Sequence, residues 1–159
     1  MRSLKAYLDA SVYGGCFDEE FREDTDLLIE AIKSGRLMAV VSDLVVSELL
    51  PAPEAVRDVL SSLSENLVDV VVSAEAYALR DAYLAAGIVG PRWAVDALHV
   101  ACATVERVDA IISWNFRHIV RLDRIKAYNA VNFAEGYGIL TILSPKDVSF
   151  DEDEDEERV

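Results

Sequence analysis

Short, almost wholly apolar runs, each followed by a longer stretch with helical spacing, constrain this chain more than any other feature. Leu4-Lys5-Ala6-Tyr7-Leu8, Leu37 to Val41, Leu67 to Val72, Ala110-Ile111-Ile112-Ser113 and Ile139 to Leu143 read as five strands. A strand without polar alternation has both faces covered. When helices separate such strands, the sheet is parallel and flanked on each side. The helices are expected over Asp18 to Ser34, from the Ser42 cap through Leu50, over 54–64, Ala74 to Ala86, Trp93 to Val105 and Leu122 to Glu135. Gly35 stops the first as a residue able to take positive φ, and Pro51 and Pro53 close the second. The expected class is α/β, in one domain over 1–149 followed by a disordered acidic tail over 150–159.

Such sheets gather their chemistry beyond the carboxyl ends of the strands, which sorts the acids. Asp9 ends the first strand, where a lone buried carboxylate is costly without a partner. Glu48 stands inside Leu44-Val45-Val46-Ser47-Glu48-Leu49-Leu50, just after the second strand, and Asp96 inside Trp93-Ala94-Val95-Asp96-Ala97-Leu98-His99. Asn115 ends the fourth strand, whereas Asp109 precedes it, lies at the opposite end of the sheet and reads as solvated. Carboxylates brought to one point repel one another, and a hard cation with oxygen ligands, Mg²⁺ or Mn²⁺, removes that penalty. It also lowers the pKa of a bound water and neutralises charge on a phosphodiester, so metal-dependent phosphodiester hydrolysis follows.

The net charge of −14 argues against a protein that holds nucleic acid by a broad basic surface. The run Asp151 to Glu157 supplies part of it, but the remainder is still acidic. Binding a polyanion then needs a local reversal of sign, by a metal or a basic partner. The tail itself reads as a solubilising extension, or as a segment that competes with a bound polyanion for basic residues or binds a basic partner. No run is long enough for a membrane span, which takes roughly 18 apolar residues. Cys16 and Cys102 form neither a disulfide framework nor a metal-ligand spacing and read as thiols in a reducing compartment, so a cytoplasmic location is expected.

Tyr-Leu-Asp9-Ala-Ser-Val, Val-Ser-Glu48-Leu, Val-Asp96-Ala-Leu-His-Val-Ala and Ile-Ser113-Trp-Asn115-Phe together resemble, in order, the four acidic blocks of PIN domains. Small prokaryotic members of that family include the VapC-type toxins of toxin–antitoxin pairs. The resemblance spans roughly residues 4 to 143. It implies a three-layer α/β/α sandwich with strand order 3-2-1-4-5, and endonucleolytic cleavage of RNA dependent on Mg²⁺ or Mn²⁺. Asp9, Glu48 and Asp96 match the family's metal-binding acids, and Ser113 a supporting hydroxyl. Asn115 falls where many members carry a fourth acid, and as a ligand or water-holder it would weaken a second metal site. A homodimer and a cognate antitoxin are implied by the same resemblance.

Other residues read structurally. His99 stands on the Asp96 helix face as a packed, hydrogen-bonded side chain. His118, with Arg117 and Arg121, reads as either phosphate-facing or surface. Trp93 and Trp114 read as packing residues rather than base-stacking ones. An aspartyl-nucleophile phosphatase would want a second aspartate two residues after Asp9, where Ser11 stands. The remaining alternative is a PIN-fold binding module that has lost turnover.

Overall fold

The computed structural model describes residues 3–150; the acidic tail lies outside the described residues except for Phe150, which packs half-buried against the core. The strands are β1 (Leu4–Leu8), β2 (Leu37–Ser42), β3 (Leu67–Val70), β4 (Ala110–Ile112) and β5 (Ile142–Leu143). All pair in parallel, in the order β3-β2-β1-β4-β5. Helices α1 (Ala10–Gly15) and α2 (Arg22–Lys33) lead from β1 to β2, α3 (Asp43–Leu49) and α4 (Glu54–Ser61) from β2 to β3, α5 (Ala74–Ala85) and α6 (Ala94–Val105) from β3 to β4, and α7 (Leu122–Ala134) from β4 to β5. The order runs outward from β1 in one direction and then restarts at β4 in the other. Right-handed crossovers therefore put α1 to α4 on one face and α5 to α7 on the opposite face.

Tertiary packing explains the burial. Ala6, Tyr7 and Leu8 are consecutive and all buried, which only a strand covered on both faces allows. Helix α6 is buried continuously from Ala97 through Thr104, on every side of the helix, so it is a core element with no solvent face over those turns. Among the described residues no helix is long and apolar enough to cross a membrane.

Helix ends follow local chemistry. Ser42 and Ser73 cap α3 and α5, their hydroxyls accepting from the amides of Val45 and Ala76 at 3.2 Å. Gly35 takes φ +82° and stops α2. The expected helix from Asp18 begins only at Arg22, because residues 18–21 form a turn in which the Asp18 carbonyl accepts from Phe21 and Arg22. The fourth helix ends at Ser61 and passes into a 3₁₀ turn over Ser64–Asn66 before β3, and both outer strands are shorter than their apolar runs. Helix α1 has too few residues for periodicity to reveal it.

Candidate active site

The register places the site. Leu8 pairs with Ile112, so the next residues, Asp9 and Ser113, emerge side by side at the carboxyl edge of the sheet. Asp9 is the N-cap residue of α1, yet its carboxylate does not cap. Instead Oδ1 accepts from the Ser11 hydroxyl at 2.6 Å and Oδ2 from the Ser113 hydroxyl at 2.8 Å. Only 5% of Asp9 is exposed. Burial pushes its carboxyl above the usual carboxylate range, with the Glu48 charge adding to the rise and His99 and the two hydroxyl bonds opposing it.

A buried relay holds Glu48. The Tyr7 hydroxyl lies 2.7 Å from Ser42 Oγ and 2.7 Å from His99 Nδ1, and His99 Nε2 meets Glu48 Oε1. A carboxylate only accepts, so Nε2 donates. With a single proton on the ring, Nδ1 accepts from Tyr7, whose oxygen accepts in turn from Ser42. Three core elements, β1, β2 and α6, thereby set one acid on α3. The Tyr7 hydroxyl stays protonated, since burial raises its pKa far above the ordinary value. His99 is packed and bonded at both nitrogens, and 35% of the Glu48 side chain remains exposed.

Asp96 and Asn115 occupy the other flank. Asp96 is half-buried in the first turn of α6, and its charge is felt at His118 and at Tyr128. Asn115 Oδ1 accepts from the amides of His118 at 2.9 Å and Arg117 at 3.2 Å, while its own amide donates to Ser113 Oγ at 2.9 Å. Its carbonyl oxygen therefore organises the turn that follows β4. His118 is buried, stacked on Trp93 at 4.3 Å, and neither ring nitrogen has a hydrogen-bond partner among the described residues. Its pKa lies below the ordinary value, chiefly through burial, with Arg117, Arg124 and Arg121 adding to the depression and Asp96 opposing it. Trp114 is buried in a stack on Phe21 at 4.1 Å and donates to Thr25 Oγ1 at 2.9 Å.

Carboxylate oxygens are the donors a hard divalent cation prefers, and Asp9, Glu48 and Asp96 reach the same edge of the sheet from three elements. They do not stand as a closed ligand set: Asp9 is turned to two hydroxyls and Glu48 to His99. Among the described residues no group of three or more His, Cys, Asp and Glu side chains is placed to hold a metal ion. A shallow cavity of about 400 Å³ is lined in part by Ser11, Gly14, Asp18, Phe21, Trp114 and Asn115; Asp9 is not in its lining. The residues missed by sequence reasoning are Tyr7, Ser42 and Ser11. A tyrosine inside an apolar strand was the available signal for the first.

No family model matches the chain, and no curated protein matches it by sequence. In three dimensions it is similar to a chain of VapBC2 from Rickettsia felis, in a crystal structure with a DNA fragment from the promoter, at a TM-score of 0.56. The two are 15% identical, and the likeness covers 89% of this chain and 98% of that one. With the sheet order β3-β2-β1-β4-β5, this gives the chain a PIN-like fold.

Proposed function

We propose that this chain is an endoribonuclease of the PIN type that depends on Mg²⁺ or Mn²⁺, and the toxin component of a toxin–antitoxin pair. One observation carries the reading. In a fold shared with a VapBC2 chain, the buried carboxylate of Asp9 sits at the carboxyl edge of the central strand, with Ser113 bonded to it. The likeness in fold to a chain of that complex supports an antitoxin partner as part of this reading. A homodimer and a cytoplasmic location belong to the same reading.

The cation would be held by Asp9, Glu48 and Asp96, and would supply Lewis acidity and neutralise phosphodiester charge. The chain's own residues do the arranging. Ser11 and Ser113 fix both oxygens of Asp9, and the Ser42–Tyr7–His99 relay fixes the rotamer of Glu48. Burial makes Asp9 an expensive charge by itself, and a cation at this edge would offset that cost by pairing with the carboxylate.

The second reading is a PIN-fold binding module without turnover. It is favoured by the engagement of the Asn115 carbonyl in its turn and by the absence, among the described residues, of a ready three-acid cluster. Incubating the protein with structured and single-stranded RNAs, in Mn²⁺, Mg²⁺ or chelator, separates the two. Metal-dependent cleavage that disappears in Asp9→Asn supports the nuclease. Cleavage that survives Asp9→Asn sinks the assignment of this site. An inert protein whose melting temperature nonetheless rises with Mn²⁺, but not in Asp9→Asn, supports the binding module.

A further inference from the structure

Two arginines beside the site lie against one aromatic ring. The 3₁₀ turn Pro91–Trp93 leads into α6, and the turn after β4 carries Arg117 and His118 on the amides that Asn115 holds. The guanidinium carbons of Arg92 and Arg117 each lie 5.2 Å from the centroid of the Trp93 ring, and His118 stacks on the same ring. Both arginines are exposed, and neither forms an ion pair with a carboxylate among the described residues. Nearby Arg121, by contrast, pairs with Asp123 at 2.8 Å.

Placing two unneutralised cations on one ring opposes their mutual repulsion, and the ring quadrupole offsets only part of it. The arrangement is more notable in a chain of net charge −14, where carboxylate partners are plentiful. His118 contributes a neutral backing: it is buried, so its ring packs without adding a third charge. Among the described residues no carboxylate neutralises the pair. A guanidinium fork matches phosphate oxygens in two parallel hydrogen bonds, and the indole, packed on by His118 and by both guanidiniums, holds the two forks together.

We propose that Arg92, Arg117 and Trp93 form a subsite for the phosphodiester backbone of an unpaired RNA strand, next to the edge that holds Asp9 and Asp96. The subsite rests on the nuclease reading for its choice of polyanion, but its binding chemistry is independent of cleavage. It also gives Asn115 a role: that side chain sets the turn from which Arg117 projects. It supplies the local reversal of sign that an acidic chain needs in order to hold RNA.

The test is binding of a short fluorescein-labelled oligouridylate to the full chain in chelator, where cleavage is off, across a salt series. Arg92→Gln and Arg117→Gln should each weaken binding about tenfold and lower the salt slope by about one. Arg117→Lys, which keeps the charge without the fork, should recover only part of the loss. Arg36→Gln, exposed at the start of β2, should match wild type. Wild-type affinity and slope in both glutamine variants would overturn the subsite, as would an equal loss in Arg36→Gln or no binding by wild type. A polyglutamate peptide that depends on Arg117 while the oligouridylate does not would assign the site to an acidic protein partner instead. A separate cleavage assay with Mn²⁺ keeps the two ideas apart. Lost binding in a chain that never cuts RNA leaves the subsite standing and removes the nuclease reading; cleavage with unaltered binding does the reverse.

Discussion

The two ends of the β1–β4 pair each carry an aspartate that ties the strands together, and they do so with different chemistry. At the amino end Asp109 donates its backbone amide to the Lys5 carbonyl at 2.8 Å, and its Oδ2 accepts from the Lys5 amide at 2.8 Å. That carboxylate is half-buried and meets a backbone donor that must be satisfied in any case. At the carboxyl end Asp9 donates its amide to the Ile112 carbonyl at 3.4 Å, and its carboxylate accepts from two serine hydroxyls, in near-complete burial. The expectation that Asp109 is simply solvated is therefore too weak, since it latches two strands. The contrast separates an acid that serves the fold from one that burdens it. Residue type and strand pair are the same; burial and the nature of the donors differ.

Exchanging each acid for its amide tests that contrast most directly. Asp9→Asn should lower metal-dependent RNA cleavage at least about a hundredfold, while Asp109→Asn leaves the rate unchanged in the same assay. Equal losses would mean that both acids act only through the fold. Packing at the carboxyl end can be probed with two adjacent glycines. A Cβ on Gly15 would meet Thr25 Oγ1 at 2.5 Å and Trp114 Nε1 at 2.7 Å, so Gly15→Ala should cost about 1–3 kcal/mol in denaturant unfolding. Gly14 has nothing within 4 Å of that position, and Gly14→Ala should stabilise by about 0.5–1 kcal/mol.

The stability effects of the two aspartates should have opposite signs. Asp109→Asn keeps an acceptor for the Lys5 amide but removes the charge that strengthens that bond, and should cost about 0.5–1 kcal/mol. In chelator at neutral pH, Asp9→Asn should raise stability, because it removes a charge that burial disfavours. The sign follows from the raised carboxyl: above its ordinary pKa of 3.8 the unfolded chain releases the proton that the folded chain still holds. Stability therefore falls as pH rises through that window, and Asp9→Asn should flatten the fall. His118 gives the smallest effect, with the reverse slope. Its pKa is depressed in the folded chain, so stability is present above the ordinary value of 6.5 and declines as pH falls below it. A single group sets at most about 1.4 kcal/mol per pH unit, and a pH series of thermal melts on His118→Phe should lack that component.

Much of this was legible in the chain because it is written locally. The strands announce themselves as runs without alternation, and Gly35 and Ser42 mark helix ends by conformation and hydrogen bonding that need no distant partner. Asp9 could be singled out because a carboxylate directly after an apolar strand has few harmless explanations. The relay from Ser42 through Tyr7 and His99 to Glu48 could not be read. Its members are separated by 35, 92 and 51 positions and meet only when β2, β1, α6 and α3 pack. His118 was ambiguous for a related reason: its neighbours Arg117 and Arg121 are surface residues, while stacking on Trp93 makes it a buried one. Asn115 has a side chain equally suited to water, metal or a turn, and the structure gives its oxygen to two amides.

The short outer strands have a consequence for self-association. A sheet with open borders invites another chain to extend it, and a long flat border is a template for aggregation. Here β5, spanning only Ile142–Leu143, presents a border of two residues, and β3 on the opposite border exposes Asp69. An incoming strand would find little backbone to bond on one side and a charge to bury on the other. Copies of this chain that meet in solution are thereby steered away from ribbon-like stacking.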